Sequence, residues 1–363
     1  MKLKRLKVQN FRNLKDFEMT PNPGINIIYG DNAQGKTNLV EAIWMFTGGK
    51  SFRGSKDKQQ IKFNTEYYRN EIEFTQNDRL QTASIAVGDK KIVSLNDVNL
   101  SSSAGLIGKF ACVIFSPNHL SIVKDGPAAR RLFLDTAICQ SKPAYVGLLH
   151  NYKKIMLQKN MVLKDIRISA DLIDMLDIYD MQLAQLCFKI KEYRYGFLND
   201  LAPVCSDIYS GLSSGKENFA VFLESSFTKE DTPESIYAKL QAARNEDIKN
   251  THCTIGIHRD DLIFQINGLD ARAYGSQGQQ RSVALALKLS EGQLMKKYLG
   301  ETPIMLLDDV MSELDESRQD YILNKLGEEQ VFITCCDHSQ ISRLVKGTIY
   351  HMNDGVLEEC IFI

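Results

Sequence analysis

No stretch of the 363 residues is apolar for long enough to cross a bilayer. The start is no export signal either. Met1 to Phe11 alternates basic and apolar residues, with no continuous apolar run and no small-residue cleavage site. The eight cysteines, at 112, 139, 187, 205, 253, 335, 336 and 360, include no Cys-x-x-Cys pair and have no His cluster beside them, which argues against a zinc site. Several lie in apolar runs and read as small buried hydrophobes. Without an export signal the expected setting is the reducing cytoplasm, away from membranes. Net charge is nearly absent as well. Forty-four basic against 45 acidic residues leave −1, so any contact with nucleic acid must use local basic patches. Acids are missing from one window, Thr136 to Lys164, which holds five lysines: Lys142, Lys153, Lys154, Lys159 and Lys164. That window reads either as a solvated helix face or as a set of DNA-binding candidates. Lys2, Lys4, Arg5 and Lys7 form a second basic group.

What is present suits one large core with an inserted lobe. Leu3–Val8 and Gly24–Tyr29 read as strands, and Lys36–Phe46 has the apolar spacing of a helix. From about Arg69 to Leu100 the alternation predicts antiparallel strands. Pro117 opens a helix-rich region that Pro203 is expected to end. The second half returns to α/β. It has a strand at Leu262–Ile266, a turn at Asn267-Gly268, a long helix over Gln279–Leu299, strands at Pro303–Leu307 and Val331–Thr334, and a terminal hairpin through Asp354-Gly355. The expected fold is therefore α/β. Its head is built from N- and C-terminal halves, 1–112 and 205–363, around a helical lobe at 113–204.

Gly30-Asp31-Asn32-Ala33-Gln34-Gly35-Lys36-Thr37 fits G-x-x-x-x-G-K-[ST] between a strand and a helix. Glycines let the backbone wrap an anion with its N–H groups inward, and the helix start aims its positive end at the same place. Lys36 adds a point charge for the outer phosphates and Thr37 a hydroxyl for Mg²⁺. The expected nucleotide-binding set runs from Gly30 through Asn38. A phosphate loop needs a carboxylate for the metal, and Ile304–Asp309 supplies a buried strand ending in two acids. Asp308 is assigned to Mg²⁺, through water, and Asp309 to polarising the attacking water. Tyr274–Arg281 places Ser276, Gly278 and Gln279 at a helix start. The segment is either a second anion cradle serving another subunit or an ordinary cap with Ser276 as N-cap. Ser312-Glu313-Leu314-Asp315 alone reads as a helix cap.

The order of these motifs resembles the ABC-type heads of SMC-like DNA-repair ATPases, and within them the RecF family. Asn10–Leu14, Ser51-Phe52-Arg53, Phe115-Ser116-Pro117, Arg130–Asp135, His258–Leu262, Tyr274–Arg281 and Leu307–Asp315 carry the likeness along with the phosphate loop. The resemblance implies an ATP-dependent homodimer in which Gly30–Thr37 of one subunit faces Ser276 and Gly278 of the other, with Lys36, Asp309 and Ser276 as the catalytic set and Arg12 near the nucleotide. It further implies a slow, DNA-stimulated ATPase that closes on double-stranded or gapped DNA and releases it on hydrolysis. RecR and RecO would be partners, with RecA loaded downstream. Three departures stand out: Asn118 where the family carries an acid, Cys336 at the usual switch-histidine position with His338 two residues on, and Asp309 where many ABC ATPases have Glu. A transporter ATP-binding subunit and a protein that holds ATP without turnover are the competing readings. SMC-length arms are excluded, because a helix of about 30 residues reaches only about 45 Å.

Overall fold

The computed structural model describes residues 1–166, 170–327, 329–336 and 347–362. The chain begins with β1 (Lys2–Gln9), β2 (Phe17–Met19), β3 (Ile25–Tyr29) and α1 (Lys36–Trp44). It continues through β4 (Tyr68–Gln76), β5 (Arg79–Val87), β6 (Lys91–Leu95), β7 (Val98–Leu100) and β8 (Cys112–Phe115). Helices α2 (Ser121–Lys124), α3 (Pro127–Ser141), α4 (Ala144–Asp165) and α5 (Met175–Leu212) follow. Next come β9 (Phe219–Glu224), α6 (Pro233–Ala242), α7 (Arg244–Asn250), β10 (Asp261–Ile266), β11 (Leu269–Asp270), α8 (Ala271–Tyr274) and α9 (Gln277–Leu299). The last elements are β12 (Ile304–Asp308), α10 (Glu316–Lys325), β13 (Val331–Cys335), β14 (Gly347–Asn353) and β15 (Val356–Phe362).

The chain divides into two compact units. The first holds Met1–Leu120, Ile208–Lys216 and Arg281–Ile363. It contains two sheets. One is antiparallel, in the order β2-β1-β4-β5-β6-β7, and the other runs β15-β14-β3-β13-β12-β8. In the second sheet β14, β3, β13, β12 and β8 are parallel, and only β15 is antiparallel. The sequence explains the difference. β12 and β13 are buried at every residue and apolar apart from Asp308 and Thr334, as strands of a covered parallel sheet are. β4 alternates buried Tyr68, Asn70, Ile72 and Phe74 with more open positions, as a one-sided antiparallel strand does. Helix α1 and the turn after it fill the space between. Leu39, Val40, Ile43 and Phe46 share a core with Leu6, Phe74 and Ile85 of one sheet and with Ile28, Leu306 and Phe332 of the other. The α/β head assembled from both ends of the chain is the expected fold.

The second unit is Ser121–Asp207 with Glu217–Gln280. It is helical with a small antiparallel sheet, β11-β10-β9. The sequence places the lobe at 113–204, whereas the compact unit also draws in 217–280. Its long-range ties explain this. Arg130 of α3 meets Asp261 of β10 at 2.5 Å, and the buried Arg194 of α5 bridges Asp135 at 2.9 Å and Asp260 at 2.5 Å. Arg131 donates to the Asp260 carbonyl at 2.8 Å. The neighbouring arginines therefore both serve the interior of this unit.

Pro203 does not end its helix, which corrects the sequence expectation: α5 runs on to Leu212. A proline inside a helix costs about 3 kcal/mol. Around it Leu201, Cys205, Ile208, Tyr209 and Leu212 are all buried, and large apolar side chains gain about 1.5–3 kcal/mol each on burial, so packing wins. No helix among the described residues is long and apolar enough to cross a membrane.

Candidate active site

Strand register assembles the site. Thr334 of β13 lies level with Asp308 of β12 and with Ile28 of β3, and Tyr29 is level with Cys335 and His351. The carboxyl ends of the parallel strands β3, β12 and β13 therefore lie together, where open α/β sheets place ligands. From β3 the chain enters the phosphate loop with Gly30, Ala33 and Gly35 at φ 150°, 67° and 117°. These positive angles turn the backbone back on itself. Gly35 then stands as the N-cap of α1, and no side chain caps that helix start. A helix N-terminus that no side chain caps is the arrangement an anion completes. Side chains from the N-terminal strand loop brace the cradle. Asn13 donates to the Ala33 carbonyl at 3.0 Å and Asn38 donates to Asn13 at 2.6 Å, while the backbone carbonyl of Gln34 accepts from the Gly355 N–H at 2.9 Å.

The ammonium of Lys36 is buried and folded into its own loop. It donates to the carbonyls of Gly30 at 2.6 Å and Asp31 at 2.8 Å, with the Cys336 thiol at 3.6 Å. That thiol also meets Asn32 at 3.0 Å. Cys336 thus sits on the phosphate loop, while His338, the other switch candidate, lies outside the described residues.

Thr37 donates its hydroxyl to Asp308 at 2.9 Å, and Thr334 donates to the same carboxylate oxygen at 2.9 Å. Burial raises the Asp308 pKa above the ordinary carboxylate range. The two threonine hydrogen bonds and Arg53 pull it back, and Asp309 pushes it further up. A buried carboxylate with an elevated proton affinity, next to a hydroxyl, is a donor set that a hard cation fits. Among the described residues no three His, Cys, Asp or Glu side chains cluster as a cage. Mg²⁺ needs none when one carboxylate, one hydroxyl and phosphate oxygens share it.

Asp309 has φ 52°, and its N–H donates to the Thr334 hydroxyl at 2.9 Å. Its carboxylate accepts from Ser312 at 3.1 Å, so it is fixed rather than free-swinging. Further along, Asp315 caps α10 by accepting from the Arg318 N–H at 3.0 Å.

Arg12 turns its fork onto Glu41 of α1, at 3.0 and 2.9 Å, and also reaches Ser55 at 2.6 Å. Glu41 is fully buried and additionally accepts from Ser51 at 2.5 Å, with Arg53 at 3.7 Å. Sequence reasoning gave Glu41 and Thr334 no role. The available signal for Glu41 was a lone acid inside the apolar run Leu39-Val40-Glu41-Ala42-Ile43. Thr334 becomes significant only through strand register.

Ser276, Gly278 and Gln279 belong to the second unit. The Gln279 N–H donates to the Ser276 hydroxyl at 3.2 Å, and the Ser276 N–H donates to the Gln279 side chain at 2.7 Å. This is a reciprocal capping box at the start of α9. The cap uses the hydroxyl as an acceptor and leaves its proton available to an anion.

Asn118 is exposed on the turn after β8. Lys142, Lys153, Lys154 and Lys164 are exposed. Lys159 is not, and it is withdrawn as a DNA-binding candidate. It is wholly buried between Asp180 at 2.8 Å and Asp247 at 2.7 Å. Both acids arrive from outside the acid-free window, so the window could not reveal them. Lys159→Met is expected to cost about 3–5 kcal/mol, because it leaves the buried Asp247 without its cation, whereas Asp180 keeps Arg244 at 2.7 Å. Chemical denaturation would read the loss.

A family model described as RecF/RecN/SMC N terminal domain matches residues 2–357. The DNA replication and repair protein RecF of Agathobacter rectalis is 40% identical over 364 residues, covering 99% of each chain. This chain belongs to the RecF family. The family member of Clostridioides difficile, named likewise, is 40% identical over 98% of this chain and 97% of its own. A solved structure of the recombination mediator protein RecF with ATP, in the RecFOR pathway, matches at TM-score 0.92 and 36% identity, covering 99% of this chain and 98% of the other. The head of the present chain is accordingly the SMC-like, ABC-type ATPase fold of that family.

Proposed function

We propose that this chain is a cytoplasmic DNA replication and repair protein whose slow ATPase switches it between a free subunit and a homodimer closed on double-stranded or gapped DNA. The observation that carries the reading is the junction of Thr37 and Asp308 at 2.9 Å, which ties the phosphate loop to the acidic strand end. In this reading the α1 N-terminus and Lys36 receive the phosphates, and Lys36 exchanges its Gly30 and Asp31 carbonyls for phosphate oxygens. Thr37 and Asp308 hold Mg²⁺, which when bound neutralises charge on the transferred phosphoryl group. Asp309, steadied by Ser312, orients the attacking water. Arg12 approaches the nucleotide while anchored on Glu41. The free proton of Ser276, with the backbone at Gly278 and Gln279, contacts the phosphate end of the nucleotide on a second copy.

The family relationship supports work with RecR and RecO and delivery of RecA to gapped DNA. DNA contact would be to phosphates, through exposed lysines such as Lys4, Lys7 and Lys142, and therefore sensitive to salt. The deciding experiment is solution mass with and without ATP and Mg²⁺, with hydrolysis read in the presence and absence of DNA. ATP is expected to convert monomer to dimer in the wild type. Ser276→Arg is expected to abolish dimerisation and hydrolysis while nucleotide still binds. An unchanged mass with ATP and DNA both present would refute the shared-site mechanism. Dimerisation without turnover would instead favour a protein that holds ATP as a structural ligand.

A further inference from the structure

Helix α4 buries one face and leaves another open. Tyr145, Leu149, Tyr152, Val162 and Leu163 are buried. His150, Lys153, Lys154, Leu157, Met161 and Lys164 are exposed. At about 100° per residue these six positions fall on one stripe some four turns long. Leu157 is 59% and Met161 56% exposed. They are four residues apart, so they are neighbours on the helix surface. Lys153 and Lys154 lie at one end of this apolar pair and Lys164 at the other, and none of the three has an ion-pair partner among the described residues. No carboxylate falls on the stripe between 150 and 164.

A DNA backbone would satisfy the lysines and leave Leu157 and Met161 against water. A protein segment with apolar side chains between acids would satisfy both. We propose that the outer face of α4 is a docking surface for an acidic amphipathic helix of a partner protein, with Leu157 and Met161 as the apolar contact and Lys153, Lys154 and Lys164 as its charged rim. This assigns three of the four exposed lysines of the acid-free window to a protein partner, and it does not depend on the nucleotide switch.

The test uses the full chain without nucleotide and two fluorescent probes. One is a synthetic helix with leucines one turn apart flanked by glutamates. The other is a short DNA duplex. The peptide is expected to bind, with affinity falling as salt rises. Leu157→Ser with Met161→Ser should weaken it at least about tenfold, and Lys153→Glu with Lys154→Glu and Lys164→Glu should do the same. Duplex affinity should stay within about twofold throughout, because the phosphate contacts lie elsewhere. Should the apolar double variant unfold, Met161→Glu alone replaces it. Three results would overturn the proposal: no peptide binding, peptide binding that the apolar substitutions leave intact, or loss of duplex binding in the lysine variant, which would make the face a phosphate surface. ATP-dependent mass is read separately, so failure here leaves the clamp reading standing.

Discussion

Gly30→Ala is expected to abolish nucleotide binding and to destabilise the first unit by about 2–6 kcal/mol. The reasoning is steric. Gly30 follows β3 at φ 150°, and a Cβ built there would stand 2.2 Å from the Met352 carbonyl oxygen of β14 and 3.3 Å from its carbonyl carbon. Those are backbone atoms of a paired strand, since Tyr29 and His351 are partners in the parallel register. Neither can move without opening the sheet. An alanine in this angular region costs about 1–3 kcal/mol, and overpacking against a rigid neighbour adds about 1–3 more. The functional loss comes from Lys36, whose ammonium is seated on the Gly30 carbonyl. A displaced Gly30 misplaces the one cation in the loop. Gly54→Ala is the control. Gly54 also has a positive φ, 74°, but a Cβ there meets nothing within 4 Å, so the cost should be about 1 kcal/mol with nucleotide binding retained. Thermal melts and binding of a fluorescent ATP analogue would measure both variants. Nucleotide binding by Gly30→Ala within tenfold of wild type would show that the close approach to Met352 is dispensable.

How much of this was legible in the sequence follows from how local each feature is. The phosphate loop is one contiguous segment whose residues carry their own instructions. Gly30 and Gly35 set the turn, Lys36 starts the helix, and an apolar strand precedes them. Asp308 was legible for the same reason, as the polar end of a buried run. Its threonine partner Thr334 was not, because only the pairing of β12 with β13 puts the two side by side. The lobe was legible as helical but not in extent. Its closure depends on Arg130 meeting Asp261 and on Lys159 meeting Asp247, which are 131 and 88 residues apart. A window of composition around α4 sees five lysines, and only the fold separates the buried one from the exposed four. Pro203 misled for the converse reason. A local helix-breaking rule was outweighed by apolar burial on both sides of it.

Asp308→Asn should separate stability from turnover in opposite directions. Burial raises the Asp308 pKa, and the hydrogen bonds from Thr37 and Thr334 only partly oppose it. The sign follows directly. A carboxyl whose folded pKa lies above its unfolded value contributes stability that is fully present below the unfolded pKa and is lost as pH rises through the folded one. At neutral pH the charged side chain therefore weakens the nucleotide-free fold. Asparagine removes the charge and keeps an oxygen that can accept both hydrogen bonds, which reach the same carboxylate atom. Nucleotide-free Asp308→Asn should melt higher than wild type at neutral pH. The difference should shrink as pH falls into the carboxylate range. Hydrolysis should move the other way. If Asp308 holds Mg²⁺ as proposed, removing its charge forfeits several kcal/mol of transition-state stabilisation, and at 1.36 kcal/mol per decade about 4 kcal/mol is roughly a thousandfold in rate. Mg²⁺ with ATP should also raise the melting temperature of wild type more than that of the variant, because the cation favours the ionised carboxylate that the empty fold disfavours. A variant that melts lower than wild type without nucleotide, or that turns over near the wild-type rate, would remove Asp308 from the metal site. If both expected shifts appear, the acid is held in the core at a cost to the resting fold, and a bound cation offsets that cost.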